Sequence, residues 1–167
     1  MSTSKNSQVH DDWWKSRLSC QPAAPEQYDE FFRLMLEEAS EYLDHTLKLM
    51  QITQGRFREL FETIGRVFAI NYDDRVAGFY WFEARGETLH LHGLVLGKEF
   101  QGKGIGSKIL ASLEENYRSS MKVIELGVHQ SNTGARRLYE KFGYRVVREF
   151  PELGFEVLQK HLSERGW

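Results

Sequence analysis

The sequence predicts an α/β fold, a central mixed sheet of six to seven strands flanked by about four helices, and three observations carry that prediction. The apolar spacing changes period along the chain, helical at first and strand-like from about residue 67. Three strand-like runs at residues 67–71, 76–83 and 88–96 are joined by short turns, which predicts an antiparallel meander. Beyond them helix and strand alternate, and the strand-helix-strand unit over residues 88–128 should be right-handed with parallel strands.

Taken in order, residues 1–12 are polar and read as a disordered tail, and residues 13–167 as one domain. Trp13 and Trp14 are too apolar to stay in water without a packing role, on the domain or on a second copy. Residues 16–21 suit a short strand ended by Pro22 and Pro25. Tyr28, Phe31, Phe32, Met35, Leu36 and Ala39 follow helical spacing, and a second helical stretch over residues 45–64 is expected to break near Thr53-Gln54-Gly55. A helix over residues 104–118 presents Ile105, Ile109, Leu113 and Tyr117 at four-residue steps. A strand over 123–128 leads to a helix over 132–142 that Gly143 stops. The last strands are expected at 144–150 and 155–161.

With 167 residues, 41% apolar, 28% charged and a net charge of −2, the chain has no basic excess to suggest nucleic acid or an anionic membrane as partner. Cys20 is the sole cysteine, so neither an intrachain disulfide nor a cysteine-based zinc site is expected. No leader or spanning segment is evident, and the expected setting is cytoplasmic.

Gln101-Gly102-Lys103-Gly104-Ile105-Gly106 lies between a predicted strand and a predicted helix. The first turn of a helix carries N–H groups without intrahelical partners, and its dipole favours an anion. Glycines let the backbone curl round such an anion, and Lys103 adds a cation. Alone, the loop is open to two other readings, a plain turn or a dinucleotide fingerprint, although its glycine spacing and the absence of an acidic residue after Val128 fit the latter poorly.

The stretch from Leu94-Val95-Leu96 through Gln101-Gly102-Lys103-Gly104-Ile105-Gly106 resembles the cofactor motif of the GNAT superfamily. Asn132 followed by Ala135-Arg136-Arg137-Leu138-Tyr139-Glu140-Lys141-Phe142-Gly143-Tyr144 resembles its second signature, with Tyr144 for the usual Phe. The resemblance implies an N-acetyltransferase that moves an acetyl group from acetyl-CoA to a primary amine by direct attack in a ternary complex, with a small amine as acceptor. A protein or peptide amine, or a non-catalytic acyl-CoA-binding or sensor module, is the alternative. It further implies that main-chain groups of Leu94, Val95 and Leu96 pair with the pantetheine arm in a gap between two parallel strands. Amides from Gln101 to Gly106 would hold the pyrophosphate, Asn132 would contact the cofactor, and Tyr139 would lie near its sulfur as acid or orienter.

For the base, His90 and His92 lie two apart on a strand and address one face, with pKa values suited to proton transfer. His90-Leu91-His92 is locally similar to the arylalkylamine N-acetyltransferases, where a histidine pair relays a proton. Glu83 is the alternative base, and Glu125 reads as a solvated strand residue. No metal is expected, because no third ligand accompanies the histidines. Glu37, Glu38, Glu41 and Asp44, beside Tyr42 and His45, suggest an acidic mouth for a cationic amine, and Phe79, Tyr80, Trp81 and Phe82 a surface for its tail. Trp13-Trp14 and the C-terminal strands are the surfaces where a homodimer contact is expected, if one forms.

Overall fold

The computed structural model describes residues 13–163. The elements run α1 (Trp13–Arg17), β1 (Leu18–Pro22), α2 (Gln27–Glu38), α3 (Leu43–Leu49), α4 (Gln54–Thr63), β2 (Arg66–Tyr72), β3 (Arg75–Arg85) and β4 (Thr88–Leu96). A single 3-10 turn, Lys98–Phe100, leads to α5 (Ile105–Tyr117), β5 (Val123–His129), α6 (Thr133–Lys141), β6 (Arg145–Phe150) and β7 (Phe155–His161). One seven-stranded sheet has the order β1-β2-β3-β4-β5-β7-β6. The meander β2-β3-β4 is antiparallel, as its short turns require, and β4 pairs with β5 in parallel across α5.

The N-terminal segment differs from expectation: residues 13–17 coil into α1, and the strand begins at Leu18 and runs to Pro22. Arg17 fixes the boundary, because its Nε donates to Asp73 Oδ1 at 2.7 Å in the β2–β3 turn and its guanidinium lies over the Tyr72 ring. Trp14 packs on the domain through the Lys108 ammonium, 5.4 Å from its ring centre. The tail expected over residues 1–12 lies outside the described residues. The second helical stretch breaks into α3 and α4, with Gln51 at a φ of 57° in the gap and the Thr53 hydroxyl accepting from the Arg56 N–H at 3.0 Å to cap α4.

Two cores cover the two faces of the sheet. On one, α5 and α6 bury Ile105, Ile109, Leu110, Leu113 and Tyr139 against Leu89, Leu91, Ile124 and Leu126. On the other, α2 and α4 bring Phe31, Met35 and Phe61 onto Val67, Ala69, Phe79 and Trp81. That second cover stops at β4, so the corresponding face of β5, β7 and β6 carries the polar residues Glu125, Gln159 and Arg148. Phe79, Trp81 and Phe82 are buried, so of the strand aromatics expected to meet an acceptor these three are core residues instead. Strand alternation sends Phe79 and Trp81 to one core and Tyr80 and Phe82 to the other. Among the described residues no helix is long and apolar enough to cross a membrane.

Phe61 is the keystone of the second core, 1% exposed and in ring contact with Tyr28, Phe32, Phe79 and Trp81. Phe61→Ala is expected to cost about 3–5 kcal/mol, the usual price of a large buried aromatic. Denaturant unfolding checks it, and a loss below 1 kcal/mol would mean that this core is loosely packed.

Candidate active site at the parting of two parallel strands

The β4–β5 ladder runs from Thr88–Val123 to Leu91–Leu126 and ends there. Beyond it β4 continues to Leu96 paired only on its β3 side, while β5 continues to His129 paired on its β7 side. The stretch from His92 to Leu96 therefore turns an edge of main-chain donors and acceptors toward the gap, the arrangement that receives an added extended ligand. A β-bulge shapes that edge. Trp81 pairs with Gly93 and Phe82 with Leu91, leaving His92 as the extra residue. The bulge also reverses the alternation, so that Leu94 and Leu96 join the α5–α6 core while Val95 joins the other.

Past the edge, the glycine loop reaches the start of α5. Gly102 and Gly104 have φ of 74° and 83°, the left-handed region where a β-carbon is costly. Gly104 is the N-cap of α5, so the amides that follow open the helix without intrahelical partners. A β-carbon at Gly106 would sit 3.4 Å from Leu138 Cδ2, so a larger residue there would press α6 away from the loop. The Gln101 side chain faces inward: its Nε2 donates to Leu96 O at 2.9 Å and to Glu38 Oε2 at 3.0 Å, tying the loop to β4 and α2. Lys103 is exposed. These residues fit a diphosphate, since the loop presents helix-start amides, glycine curvature and a mobile cation together.

Asn132 caps α6, its Oδ1 accepting from the Ala135 N–H at 3.2 Å. Tyr139, about two turns further in, is 7% exposed and its ring lies 5.9 Å from that of Tyr144. Burial, aided by the charge of Tyr42, pushes its phenol up to about 12. It stays protonated throughout the neutral range and can donate a hydrogen bond to a developing thiolate, but full proton transfer to a thiolate of ordinary pKa would run uphill.

On the opposite face the structure brings together His90, His92 and Glu83. The two imidazoles lie nearly parallel with ring centres 6.2 Å apart. His92 Nε2 is 3.0 Å from Glu83 Oε2, and its ring rests on Trp81. His90 Nδ1 is 3.6 Å from Glu125 Oε1. Burial, with the nearby Arg85 charge, lowers the His90 pKa below its ordinary value, so that ring is neutral at pH 7. Glu83 is engaged by His92 and by Arg85 Nε at 3.2 Å, which suits it to orienting His92.

These residues open onto a cleft of about 490 Å³ at the parting point, reaching from Arg85 past His90, His92 and Glu125 to Arg148 and Phe155. Glu125 is not a solvated strand residue: it is 17% exposed, accepts from Gln159 Nε2 at 2.6 Å and meets Arg148 at 3.4 Å. Arg148, Gln159 and Phe155 went unnoticed in the sequence, because only the order β5-β7-β6 carries the C-terminal hairpin to this face, and Arg85, the last residue of β3, has no local pattern to mark it. The acidic residues of α2 and α3 are dispersed. Glu37 lines a separate groove by Gly78 and Gly97, Glu38 holds Gln101, and Glu41 stands near His129. Tyr42 closes one end of the cleft, stacked at 4.1 Å on His129 and edge-on to Phe155. Among the described residues no group of three or more His, Cys, Asp or Glu is placed to hold a metal ion.

A sheet parted between two parallel strands, with a glycine-rich helix-start loop beyond the gap and titratable groups on the far face, is an arrangement that suits an extended anionic ligand. Residues 10–144 match the acetyltransferase (GNAT) family, and the chain belongs to that family. An uncharacterized N-acetyltransferase of Methanocaldococcus jannaschii is 33% identical over 87 residues, 51% of this chain and 56% of its own length. A spermine/spermidine N(1)-acetyltransferase of Bacillus subtilis is 33% identical over 69 residues, 40% of this chain and 45% of that protein. The chain thus spans about half the length of the curated relatives it matches. A GNAT family acetyltransferase from Elizabethkingia anophelis with acetyl-CoA bound shares the fold at a TM-score of 0.63 and 21% identity, covering 87% of this chain and 99% of that one.

The left-handed Gly104 gives a direct test of the loop. Gly104→Ala is expected to weaken acetyl-CoA binding at least ten-fold while lowering stability by about 1–2 kcal/mol. Calorimetric titration beside a thermal melt checks both, and unchanged affinity would remove the loop from the binding site.

Proposed function

We propose that this protein transfers an acetyl group from acetyl-CoA to a primary amine by direct attack, and the observation that carries the reading is the joint placement of three features. The β4–β5 ladder parts at Leu91–Leu126, the histidine-lined cleft opens at that point, and the left-handed glycine loop follows the free end of β4. Acetyl-CoA supplies the activated thioester. The open edge from His92 to Leu96 holds its pantetheine arm as an added strand, and an N–H near Val95 donates to the thioester oxygen. Amides from Gln101 to Gly106 hold the pyrophosphate, and Asn132, whose amide nitrogen is left over from capping, contacts the arm from α6.

An alkylamine is protonated at neutral pH and must lose a proton before it attacks. His90, kept neutral by burial, and His92, oriented by Glu83, take that proton from the cleft side. The new amide bond forms at the amine nitrogen as the carbon–sulfur bond breaks. Tyr139 donates a hydrogen bond to the departing sulfur, and the thiolate takes up a proton to leave as the free thiol. The match to a polyamine acetyltransferase supports an amine acceptor as a class.

The reading is tested by release of free coenzyme A from acetyl-CoA over a panel of amines and peptides. Tyr139→Phe is expected to keep acetyl-CoA affinity and lower kcat at least ten-fold, and wild-type turnover would return Tyr139 to a packing role. The double change of His90 and His92 to Gln should lower kcat/KM about 100-fold at pH 7, within the usual range for losing a general base. In the wild type the acid limb should fall below pH 6.5, because the His90 pKa is lowered and its proton-accepting form persists to lower pH. An acid limb that survives the double replacement unchanged would assign the proton transfer elsewhere.

A further inference from the structure

The charge of the cleft narrows the acceptor, an argument that rests on the acetyl-transfer reading above. Its walls carry two guanidinium groups, Arg85 and Arg148, and one carboxylate, Glu125. Arg85 projects from the end of β3, His90 and Glu125 lie on β4 and β5, and Arg148 projects from β6, so the two arginines bracket the trough from opposite ends. Both side chains are about 60% exposed, at 60% and 59%. Their glutamate contacts run through one nitrogen each, Arg85 Nε to Glu83 and Arg148 Nη2 to Glu125. A guanidinium has five N–H donors in a planar fork, so each retains donors for a second carboxylate. The remaining titratable groups at the trough are His90, kept neutral by burial, and His92 and Glu83, which pair with each other, and since Glu83 also meets Arg85, each arginine has one carboxylate partner. The four carboxylates of α2 and α3 that would have made this an acidic mouth are turned to other tasks or to solvent.

A polycation entering here would find both carboxylates already engaged by guanidinium groups. A molecule with one amine and one carboxylate meets a matching field: its anion is drawn to an arginine, while its amine stays by the imidazoles and Glu125. Phe155 and Val157 supply apolar wall for a side chain. We infer that the acceptor is a small zwitterion of the α-amino acid class, its carboxylate held by a guanidinium of the cleft, Arg85 or Arg148, and its amine presented to His90 and His92.

The test pairs amino acids bearing apolar, basic and acidic side chains with their decarboxylated amines, phenylalanine beside phenethylamine and lysine beside cadaverine among them, with spermidine as the polycation. Coenzyme A release is measured for each at low and high salt. The expected result is a kcat/KM at least ten-fold higher for one or more amino acids than for the matching amine, with the ratio shrinking in salt. Arg148→Gln and Arg85→Gln should reduce that ratio by raising KM for the amino acid, and thermal melts confirm that both variants fold. Turnover that favours the decarboxylated amines or spermidine, or a ratio indifferent to both arginine changes, overturns the zwitterion while leaving acetyl transfer intact. Failure of every acceptor to release coenzyme A would overturn both.

Discussion

The early end of the β4–β5 ladder at Leu91–Leu126 is the constraint on which the rest of this structure depends. A parallel pair that stays together would seal the sheet and leave its two faces without communication. Here β4 remains anchored by β3 and β5 by β7 beyond the parting point, so neither strand needs the other to stay extended. The cost of leaving main-chain groups of β4 without a strand partner is bearable because the edge borders a solvent-filled gap, where water or a ligand satisfies them. Both faces then lie open to one gap: the loop and the Tyr139 phenol belong to the α5–α6 side, and the imidazoles and guanidinium groups to the other.

The bulge at His92 serves the same opening. Without it, strand alternation would place Gly93 and Val95 on the α5–α6 side and Leu94 and Leu96 on the other. The extra residue keeps His90 and His92 together on the cleft face and still delivers Leu94 and Leu96 into the α5–α6 core. Local twist at a bulge also helps β4 to diverge from β5. Gln101 connects this strand to the acceptor side, since one amide nitrogen bridges Leu96 O and Glu38. A displacement of α2 by an acceptor would thereby be felt at the glycine loop.

Much of this was legible in the sequence where a residue acts through its neighbours in the chain. Periodicity located the meander, α5 and α6, and the glycine loop could be placed at a helix start because a strand pattern precedes it and a four-residue stripe follows. His90 and His92 shared a face by strand geometry alone. What stayed hidden depends on contacts between distant segments. Arg148 meets Glu125 because β7 inserts between β5 and β6, an order that no local spacing encodes. Glu114 reads as a surface residue of α5 yet is 5% exposed, held by Lys160 Nζ at 2.7 Å from the last strand. Residues 16 and 17, the end of α1, were assigned to the strand because five residues are too few for a helical period to register.

The glutamates illustrate why charge counts mislead at a site like this one. Counting carboxylates along α2, α3 and the turn between them suggested an acidic mouth, yet Glu37 points to a separate groove, and only Glu38, which also holds Gln101, and Glu41 act on Tyr42. The charges that do line the cleft come from strands, where alternate residues share a face and neighbouring strands set them in register. Glu83 and Glu125 each face both a histidine and an arginine. Each arginine thereby has one carboxylate partner, and the charges of the two pairs balance. The glutamates thus serve the imidazoles and the arginines at once, while each planar guanidinium fork, with five donors, keeps donors in excess of its partner.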